Sequence, residues 1–193
     1  IENSKPLLVC DADEVIFDFM DSFVNFLANR EYSFNWRSYA LTGNIIDKFG
    51  DAISEKNVKK LINNFFKNCA ENLKLVNGSK DSILKLAGFY NILILSNIPF
   101  QYYDLRLKAL INNKLDFPFY ANAGKKGKVC SYLYNKFKLP VWFIDDSPMQ
   151  IDSASKEKCN INTILYIENK KLAKLVEYPK CWDYYTNTWK KNE

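Results

Sequence analysis

Histidine is absent from this chain of 193 residues. Its absence excludes Ser-His-Asp and Cys-His nucleophilic sites, because both need an imidazole as general base. It also excludes any metal site built on histidine nitrogens. Acid–base or metal chemistry in this protein therefore has to come from carboxylates, hydroxyls, lysines and backbone amides.

Cysteine is scarce and shows no C-x-x-C pair. The five cysteines are Cys10, Cys69, Cys130, Cys159 and Cys181. An odd number without that spacing is typical of reduced thiols and argues against a structural zinc site. Long apolar runs are also missing: none reaches the roughly 20 residues that cross a bilayer, and residues 1–4 do not have the pattern of a signal peptide. We therefore expect a cytoplasmic protein with no membrane partner.

Charge is not concentrated in any one part of the chain. The net charge of +5 comes mostly from lysines spread along the sequence. Such a spread can attract a small anion but is too diffuse for a nucleic-acid interface, so we expect no nucleic acid polymer as a partner. The hydrophobic content of 48% predicts a folded protein with a substantial core. The oligomeric state leaves no signature in the sequence.

Short apolar runs alternate with helical patterns along the chain. The first run, Leu7–Cys10, is continuously apolar, as in a strand that is buried on both faces of a parallel sheet. Similar runs recur at residues 92–95, 117–121, 141–144 and 161–167. Strands that alternate with helices predict an α/β fold with a parallel five-stranded sheet flanked by helices.

The first connection between strands is too long for a single crossover helix. The later connections need about 20 to 30 residues, a normal length for such units, but this one runs from Asp13 to Asn91. Its excess, residues 18–76, has a mostly helical pattern and is rich in aromatic residues. We therefore expect a core of residues 1–17 and 77–193. A small helical subdomain of residues 18–76 would be inserted above the carboxyl end of the first strand.

Polar side chains follow four of the predicted strands at the point where each strand ends. They are Asp11 and Asp13, Ser96 and Asn97, one lysine of residues 125–128, and Asp145 with Asp146. Because the carboxyl ends of parallel strands lie at the same edge of a sheet, we expect these side chains to share one crevice.

The chemistry of such a crevice follows from its charges. Asp11, Asp145 and Asp146 offer the hard oxygen ligands that suit Mg²⁺. Ser96 and the amides around it offer hydrogen-bond donors to a phosphate group. A carboxylate nucleophile, a metal ion, a lysine and a phosphate seat together indicate phosphoryl transfer through an aspartyl-phosphate. Asp13 is then placed to protonate the leaving oxygen and later to activate water.

Four motifs carry a resemblance to a known family. They are LLVCDADEV, ILILSN, GKKGK and VWFIDDS, and they span residues 7 to 147. In type, order and spacing they resemble the haloacid dehalogenase (HAD) superfamily of phosphohydrolases. The resemblance implies a Rossmann-like core with a C1-type helical cap inserted after the first strand, formed by residues 18–76. It also implies Mg²⁺ as the cofactor and a small phosphorylated metabolite as the substrate.

The resemblance also assigns roles to individual residues. It implies Asp11 as the nucleophile and the Asp13 side chain as the general acid/base, with the Asp13 backbone carbonyl on Mg²⁺. Asp145 would bind the metal, with Asp146 on it or just behind. On the substrate side, Ser96, Asn97 and Lys126 would contact the phosphoryl group. Lys125 and Lys128 compete with Lys126, which we favour because it lies at the start of the following helix.

One position departs from the family pattern. Glu14 stands directly after Asp13, where the family usually has a glycine that frees the turn toward the cap. Glu14 either adds negative charge beside the phosphate site, or points away and caps the next helix. We favour the second interpretation.

Three other functions compete with the phosphatase interpretation. The dehalogenase branch of the superfamily generally lacks an acid at the position of Asp13, which favours phosphate-ester hydrolysis. A 5'(3')-deoxyribonucleotidase is also similar in DADEVIFDF, FIDD and the Trp-rich end. A phosphate-binding protein without turnover is the third alternative, and Glu14 is the residue that favours it.

Two aromatic sets have a bearing on a nucleotide substrate. The first lies in the inserted segment: Phe23, Phe26, Tyr32, Phe34, Trp36 and Tyr39. These rings either stack on a base or form a small hydrophobic core, and we favour the core. The second set lies in residues 181–189, which we expect to pack on the domain surface as a closing segment rather than to stack on bases.

Overall fold

The computed structural model describes residues 1–176 and 181–190. In chain order the strands are β1 (Leu7–Cys10), β2 (Ser33–Phe34), β3 (Ile45–Ile46), β4 (Asn91–Ser96), β5 (Phe119–Ala121), β6 (Val141–Asp145), β7 (Ile161–Tyr166) and β8 (Tyr184–Thr186). The helices are α1 (Phe19–Ala28), α2 (Glu55–Cys69), α3 (Ser79–Leu86), α4 (Tyr103–Asn112), α5 (Gly127–Phe137), α6 (Pro148–Ser155) and α7 (Lys170–Ala173). A 3-10 turn at Phe100–Tyr102 leads into α4.

The main sheet is parallel and has β1 near its centre. Its strand order is β5-β4-β1-β6-β7-β8, and each neighbouring pair is parallel. All four residues of β1 are buried, because helices cover both faces of the sheet. This confirms the α/β fold with a parallel sheet flanked by helices.

The sheet has six strands, so the predicted number of five was wrong. The additional strand, β8, pairs in parallel with β7 at the edge of the sheet and lies in the segment that was expected only to pack on the surface. It spans three residues with two of them exposed, so it lacks the continuous apolar pattern that marks the inner strands. The same segment also closes over the core, because the Trp189 indole donates a hydrogen bond to the Val15 carbonyl.

Residues 18–76 contain α1 and α2, and also a small antiparallel sheet of β2 and β3 that the sequence pattern did not predict. The helices pack through aromatic rings: Phe65 contacts Phe23 and Phe26 edge-on, with ring centroids 5.1 and 5.4 Å away. Phe23, Phe26 and Phe34 are buried, which confirms the hydrophobic-core interpretation for these three. The other three aromatic residues, Tyr32, Trp36 and Tyr39, are only partly buried.

None of the helices in the described ranges is both long and apolar enough to cross a bilayer.

Candidate active site

Lys126 forms a buried bridge between two carboxylates at the carboxyl edge of the sheet. Its Nζ lies 2.6 Å from Oδ1 of Asp11 and 2.7 Å from Oδ2 of Asp145. Asp11 directly follows β1, and Asp145 ends the neighbouring strand β6, so the parallel pairing of these strands brings the two acids together. Lys126 is 1% exposed, Asp11 6% and Asp145 0%. The charges of this bridge are therefore shielded from water.

Two hydrogen bonds to α6 hold the backbone at Lys126. Its backbone N–H donates to Oε1 of Gln150, and the N–H of Gly127 donates to Oγ of Ser153. Gln150 and Ser153 both lie on α6, so these bonds fix the start of α5 against α6. The competing lysines 125 and 128 are exposed. Of the three candidates, the structure brings Lys126 to Asp11.

Three carboxylates are close enough to bind one cation. Asp11, Asp145 and Asp146 each offer an oxygen within 4.8 Å of those of the other two. Burial raises the pKa of Asp11 to about 7; Lys126 opposes this rise, and the negative charge of Asp145 adds to it. Burial and the charge of Asp145 also raise the pKa of Asp146 well above its usual range. A divalent cation bound by these oxygens would offset both the burial and the repulsion that raise these pKa values.

Additional interactions fix the Asp145 carboxylate and keep Lys126 charged. Oδ1 of Asp145 accepts the Ser147 N–H at 2.9 Å, so both of its oxygens have protein partners. Although burial lowers it, the pKa of Lys126 is raised overall by the charges of Asp11 and Asp145. Lys126 therefore stays a cation between its two carboxylates.

The carboxylate of Asp13 lies next to the end of β4. Its Oδ2 is 3.4 Å from the hydroxyl of Ser96, the buried last residue of β4. Its Oδ1 accepts a hydrogen bond from Nη2 of Arg106 at 2.5 Å. Among the described residues, the acids that could bind one ion together are Asp11, Asp145 and Asp146, and the Asp13 side chain is not one of them. The Asp13 carboxylate thus contacts Ser96 and Arg106, apart from the three acids around Lys126.

Asn97 is exposed and engaged elsewhere. Its side-chain Nδ2 donates to the Gly124 carbonyl at 2.9 Å, and its Oδ1 accepts from Nδ2 of Asn122 at 2.8 Å. These bonds join the end of β4 to the loop that precedes Lys126. The structure thus shows Asn97 as a support of this loop.

Glu14 adopts the left-handed backbone conformation that glycine favours, with a φ of 63°. Its side chain is buried, and its Oε1 accepts the Met20 N–H at 2.5 Å in the first turn of α1. The interpretation that Glu14 caps the next helix is confirmed. Burial raises the pKa of Glu14 to about 8.

A cavity of about 540 Å³ lies beside this turn rather than at the bridge. Glu14, Asp18, Asp21 and Glu168 are among its lining residues, whereas Asp11, Ser96 and Lys126 are not. We place the candidate active site at the acids and the lysine, because that is where polar groups of several strands converge.

Two residues of the site were not assigned to it from the sequence. Arg106 is fully buried and occupies the inner face of α4 with Ala109 and Leu110. A cation in such an i, i+3, i+4 apolar pattern is the signal that could have identified it. Tyr39, of the segment 18–76, donates its hydroxyl to the Asp146 carbonyl at 3.0 Å. Because this contact joins residues 107 positions apart, no local pattern indicates it.

No family model matches the sequence, and neither does any curated protein. Solved structures do match. A haloacid dehalogenase-like family hydrolase from Streptococcus pneumoniae is 14% identical, with a TM-score of 0.63 over 97% of this chain and 96% of that one. A HAD family hydrolase from Deinococcus radiodurans, with bound phosphate and sodium, is 13% identical, with a TM-score of 0.63 over 97% of this chain and 93% of that one.

A third structure carries a more specific name. It is a predicted phosphoglycolate phosphatase from Haemophilus somnus, 16% identical, with a TM-score of 0.58 over 94% of each chain. All three matches extend over nearly the whole chain, so they include the inserted segment as well as the sheet. The chain therefore has the fold of the haloacid dehalogenase-like hydrolases, as its four motifs predict.

Proposed function

We propose that this protein is a phosphohydrolase that cleaves a small phosphate monoester through an aspartyl-phosphate on Asp11. The observation that carries the proposal is the buried bridge of Asp11, Lys126 and Asp145 beside a third carboxylate. The matched structures add support, since their descriptions name hydrolases and a phosphatase, and one of them holds phosphate.

Mg²⁺ is the cofactor that fits the acids best. Asp11, Asp145 and Asp146 present only hard oxygen donors, which Mg²⁺ prefers over nitrogen or sulfur. The backbone carbonyl of Asp13 would complete the protein ligands, as the family resemblance implies. When bound, the ion would supply positive charge that offsets the negative charge of the phosphoryl oxygens.

Asp11 would form the new bond to phosphorus, and Lys126 would assist this step. Lys126 holds Oδ1 of Asp11, which leaves the second oxygen for the attack. The ammonium group would also neutralise part of the charge of the incoming phosphoryl group. Ser96, at the end of the neighbouring strand β4, would donate its hydroxyl to a phosphoryl oxygen.

Asp13 would carry the proton in both half-reactions. In the first, it gives a proton to the leaving oxygen as the Asp11–phosphorus bond forms and the ester bond breaks. In the second, it takes a proton from the water that attacks phosphorus, and phosphate leaves Asp11. Its side chain is partly exposed, at 21%, so it can reach both the ester oxygen and water.

We propose that residues 18–76 act as a C1-type cap on a core of residues 1–17 and 77–193. Two contacts support this role. Tyr39 reaches the carbonyl of Asp146, and the Trp36 ring lies 5.0 Å from the ammonium of Lys171. A segment that touches the core at the site restricts the size of the leaving group, which favours a small phosphorylated metabolite.

The alternatives lose support from the same geometry. Phe23, Phe26 and Phe34 are buried, so they are not available to stack on a nucleotide base. Glu14 accepts the Met20 N–H of α1, and burial raises its pKa to about 8, so it adds little negative charge to the site at neutral pH, which supports turnover over binding alone.

Hydrolysis of p-nitrophenyl phosphate with Mg²⁺ tests the proposal. We expect turnover by the wild type, loss of turnover in Asp11→Asn, and loss on removal of Mg²⁺ with EDTA. Asp152→Asn is the matched control, because this aspartate pairs with Lys156 on the surface. Equal rates for wild type and Asp11→Asn would reject the proposal. A panel of phosphorylated metabolites would then identify the substrate.

A further inference from the structure

Arg106 is a buried cation that packing alone does not explain. It is 0% exposed, and its guanidinium carbon lies 4.6 Å from the centre of the Phe17 ring. Nε and Nη1 are buried without a hydrogen-bond partner among the described residues. Unpaired buried donors cost free energy. Apolar side chains of similar volume often fill such a place with equal or greater stability.

The hydrogen bond and the ring contact of Arg106 both lie on the turn that carries Asp13. Nη2 donates to Oδ1 of Asp13, and the guanidinium stacks on Phe17. The backbones of these two residues form a β-bridge, and the Glu14 N–H donates to the Phe17 carbonyl. Arg106 thus holds the side chain of Asp13 and also packs on the residue that closes the turn.

This arrangement makes the two oxygens of Asp13 different. Oδ1 is held by Arg106, whereas Oδ2 faces the hydroxyl of Ser96 at 3.4 Å. Ser96 is the group proposed to bind a phosphoryl oxygen, so Oδ2 is the oxygen on the substrate side. A carboxylate fixed through one oxygen cannot rotate freely, which keeps the other oxygen in one place.

We infer that Arg106 is a positioning residue that holds Asp13 with Oδ2 aimed at the leaving-group oxygen. The inference rests on the proposed function. In the first step the proton passes from Oδ2 to the leaving oxygen, while the bond from Asp11 to phosphorus forms and the ester bond breaks. Arg106 touches neither the substrate nor the proton, so its effect is exerted through Asp13.

The dependence on the leaving group tests this role. Dinitrophenolate leaves without a proton, whereas phenolate needs one, so a general acid matters far more for phenyl phosphate than for 2,4-dinitrophenyl phosphate. The measurement is the burst of phenol or dinitrophenol released in the first turnover with Mg²⁺. The burst reports the step in which Asp13 acts as an acid.

In Arg106→Met we expect the burst rate to fall about 100-fold or more with phenyl phosphate, and less than about threefold with dinitrophenyl phosphate. Arg106→Lys restores part of the loss, since it keeps a donor near Oδ1. In an Asp13→Asn background, Arg106→Met adds no further selective loss, because the residue it acts through is gone. Arg30→Met is the matched control, as Arg30 also stacks on a phenylalanine ring but is exposed.

Two results would overturn the inference while leaving the proposed function intact. One is an equal loss on both substrates in Arg106→Met. The other is a further selective loss in the Asp13→Asn background. If Arg106→Met does not fold, Arg106→Lys and Arg106→Gln carry the same comparison. If the wild type cleaves neither ester, the proposed function fails, and the inference fails with it.

Discussion

Gly127 packs its α-carbon against the backbone of Ser153, so closely that a Cβ on Gly127 would lie 2.1 Å from the Ser153 carbonyl oxygen. This contact is where α5 meets α6. Lys126 is the residue directly before it, and its own N–H is held by Gln150 of α6. The site lysine is therefore placed by a helix–helix contact that only glycine allows.

Gly127→Ala should disrupt both the fold and the site. The added methyl group overpacks the contact with backbone atoms, which costs roughly 1–3 kcal/mol of unfolding free energy. A shift of α5 by about 1 Å would also move Lys126, and misplacement of that size lowers turnover by about 100-fold. Urea unfolding and p-nitrophenyl phosphate hydrolysis measure the two effects. Gly88→Ala is the control, since its Cβ would lie 3.3 Å from the Lys85 carbonyl oxygen. Wild-type stability and turnover in Gly127→Ala would contradict this account.

Three single substitutions can show which lysine of residues 125–128 belongs to the site. Lys126→Met removes the cation between Asp11 and Asp145 and leaves two buried carboxylates uncompensated. We expect a loss of about 3–5 kcal/mol of unfolding free energy without metal, together with loss of turnover. Lys125→Met and Lys128→Met change exposed side chains and should leave both quantities near wild type. A loss of turnover in either control that equals the loss in Lys126→Met would show that the wrong lysine has been assigned.

The residues at the carboxyl ends of the strands were predictable from the sequence, because the inner strands are buried on both faces and give a clear apolar pattern. A run such as Leu7–Cys10 is a strong signal, and the polar residue that follows it lies at the carboxyl edge whatever the details of packing. Asp11 and Asp145 were placed together on this argument alone, and the structure joins them through Lys126. The start of α5 at Gly127 likewise singled out the lysine directly before it.

Contacts made across the fold could not be predicted in this way. Arg106 reaches Asp13 from α4, and Tyr39 reaches Asp146 from the inserted segment. Both contacts depend on how the helices and strands pack against one another. The hydrophobic periodicity of a helix (3.6 residues) or a strand (2 residues) does not encode that packing. The strand β8 was missed for a different reason, since its short exposed run carries almost no burial signal.

Glu14 should make stability depend on pH. Burial raises its pKa from 4.5 to about 8, so between these values the folded protein keeps a proton that the unfolded chain has released. The contribution of Glu14 to the free energy of unfolding is therefore greatest below about pH 4.5. It is lost as pH rises toward 8, by about 1.4 kcal/mol per pH unit.

Glu14→Gln should remove this dependence, because the amide is neutral and its oxygen can still accept the Met20 N–H. The variant should match wild type near pH 5 and exceed its stability by roughly 3–4 kcal/mol near pH 8. Urea unfolding at several pH values measures the difference. Glu55→Gln is the control, because Glu55 is exposed and its pKa is lowered by the hydrogen bond from Lys59. Parallel curves for Glu14→Gln and wild type would contradict the prediction.

Asp146→Asn should have opposite effects with and without Mg²⁺. Without the ion, removal of one charge from the group of three acids relieves repulsion, so the melting temperature should rise. With the ion, the variant has lost a ligand. At 100 times its dissociation constant a ligand adds about 2.7 kcal/mol of stability, which is roughly 5–10 °C for a domain of this size.

Thermal unfolding across a Mg²⁺ titration checks this pair of effects. Wild type and the surface control Asp152→Asn should show the full shift at saturation, and Asp146→Asn a much smaller one at the same concentrations. An unchanged Mg²⁺ response in Asp146→Asn would remove this carboxylate from the metal site.

Tyr39→Phe should loosen the inserted segment without unfolding the protein. The substitution keeps the ring but removes the hydroxyl that donates to the Asp146 carbonyl, a bond of about 0.5–1.5 kcal/mol. Two backbone hydrogen bonds lie at the base of the segment: the Asp18 N–H donates to the Lys74 carbonyl and ties its two ends together, and the Val76 N–H donates to the Ile16 carbonyl of the core.

Hydrogen–deuterium exchange of these two amides reports the opening of the segment. In Tyr39→Phe we expect both to exchange about 2- to 12-fold faster, the change that corresponds to the lost bond. The amides of β1, which lies inside the sheet, should be unaffected. Tyr32→Phe serves as the control, because it removes a hydroxyl from the same segment. If the amides of Asp18 and Val76 exchange at wild-type rates in Tyr39→Phe, the Tyr39–Asp146 bond does not hold the segment against the core.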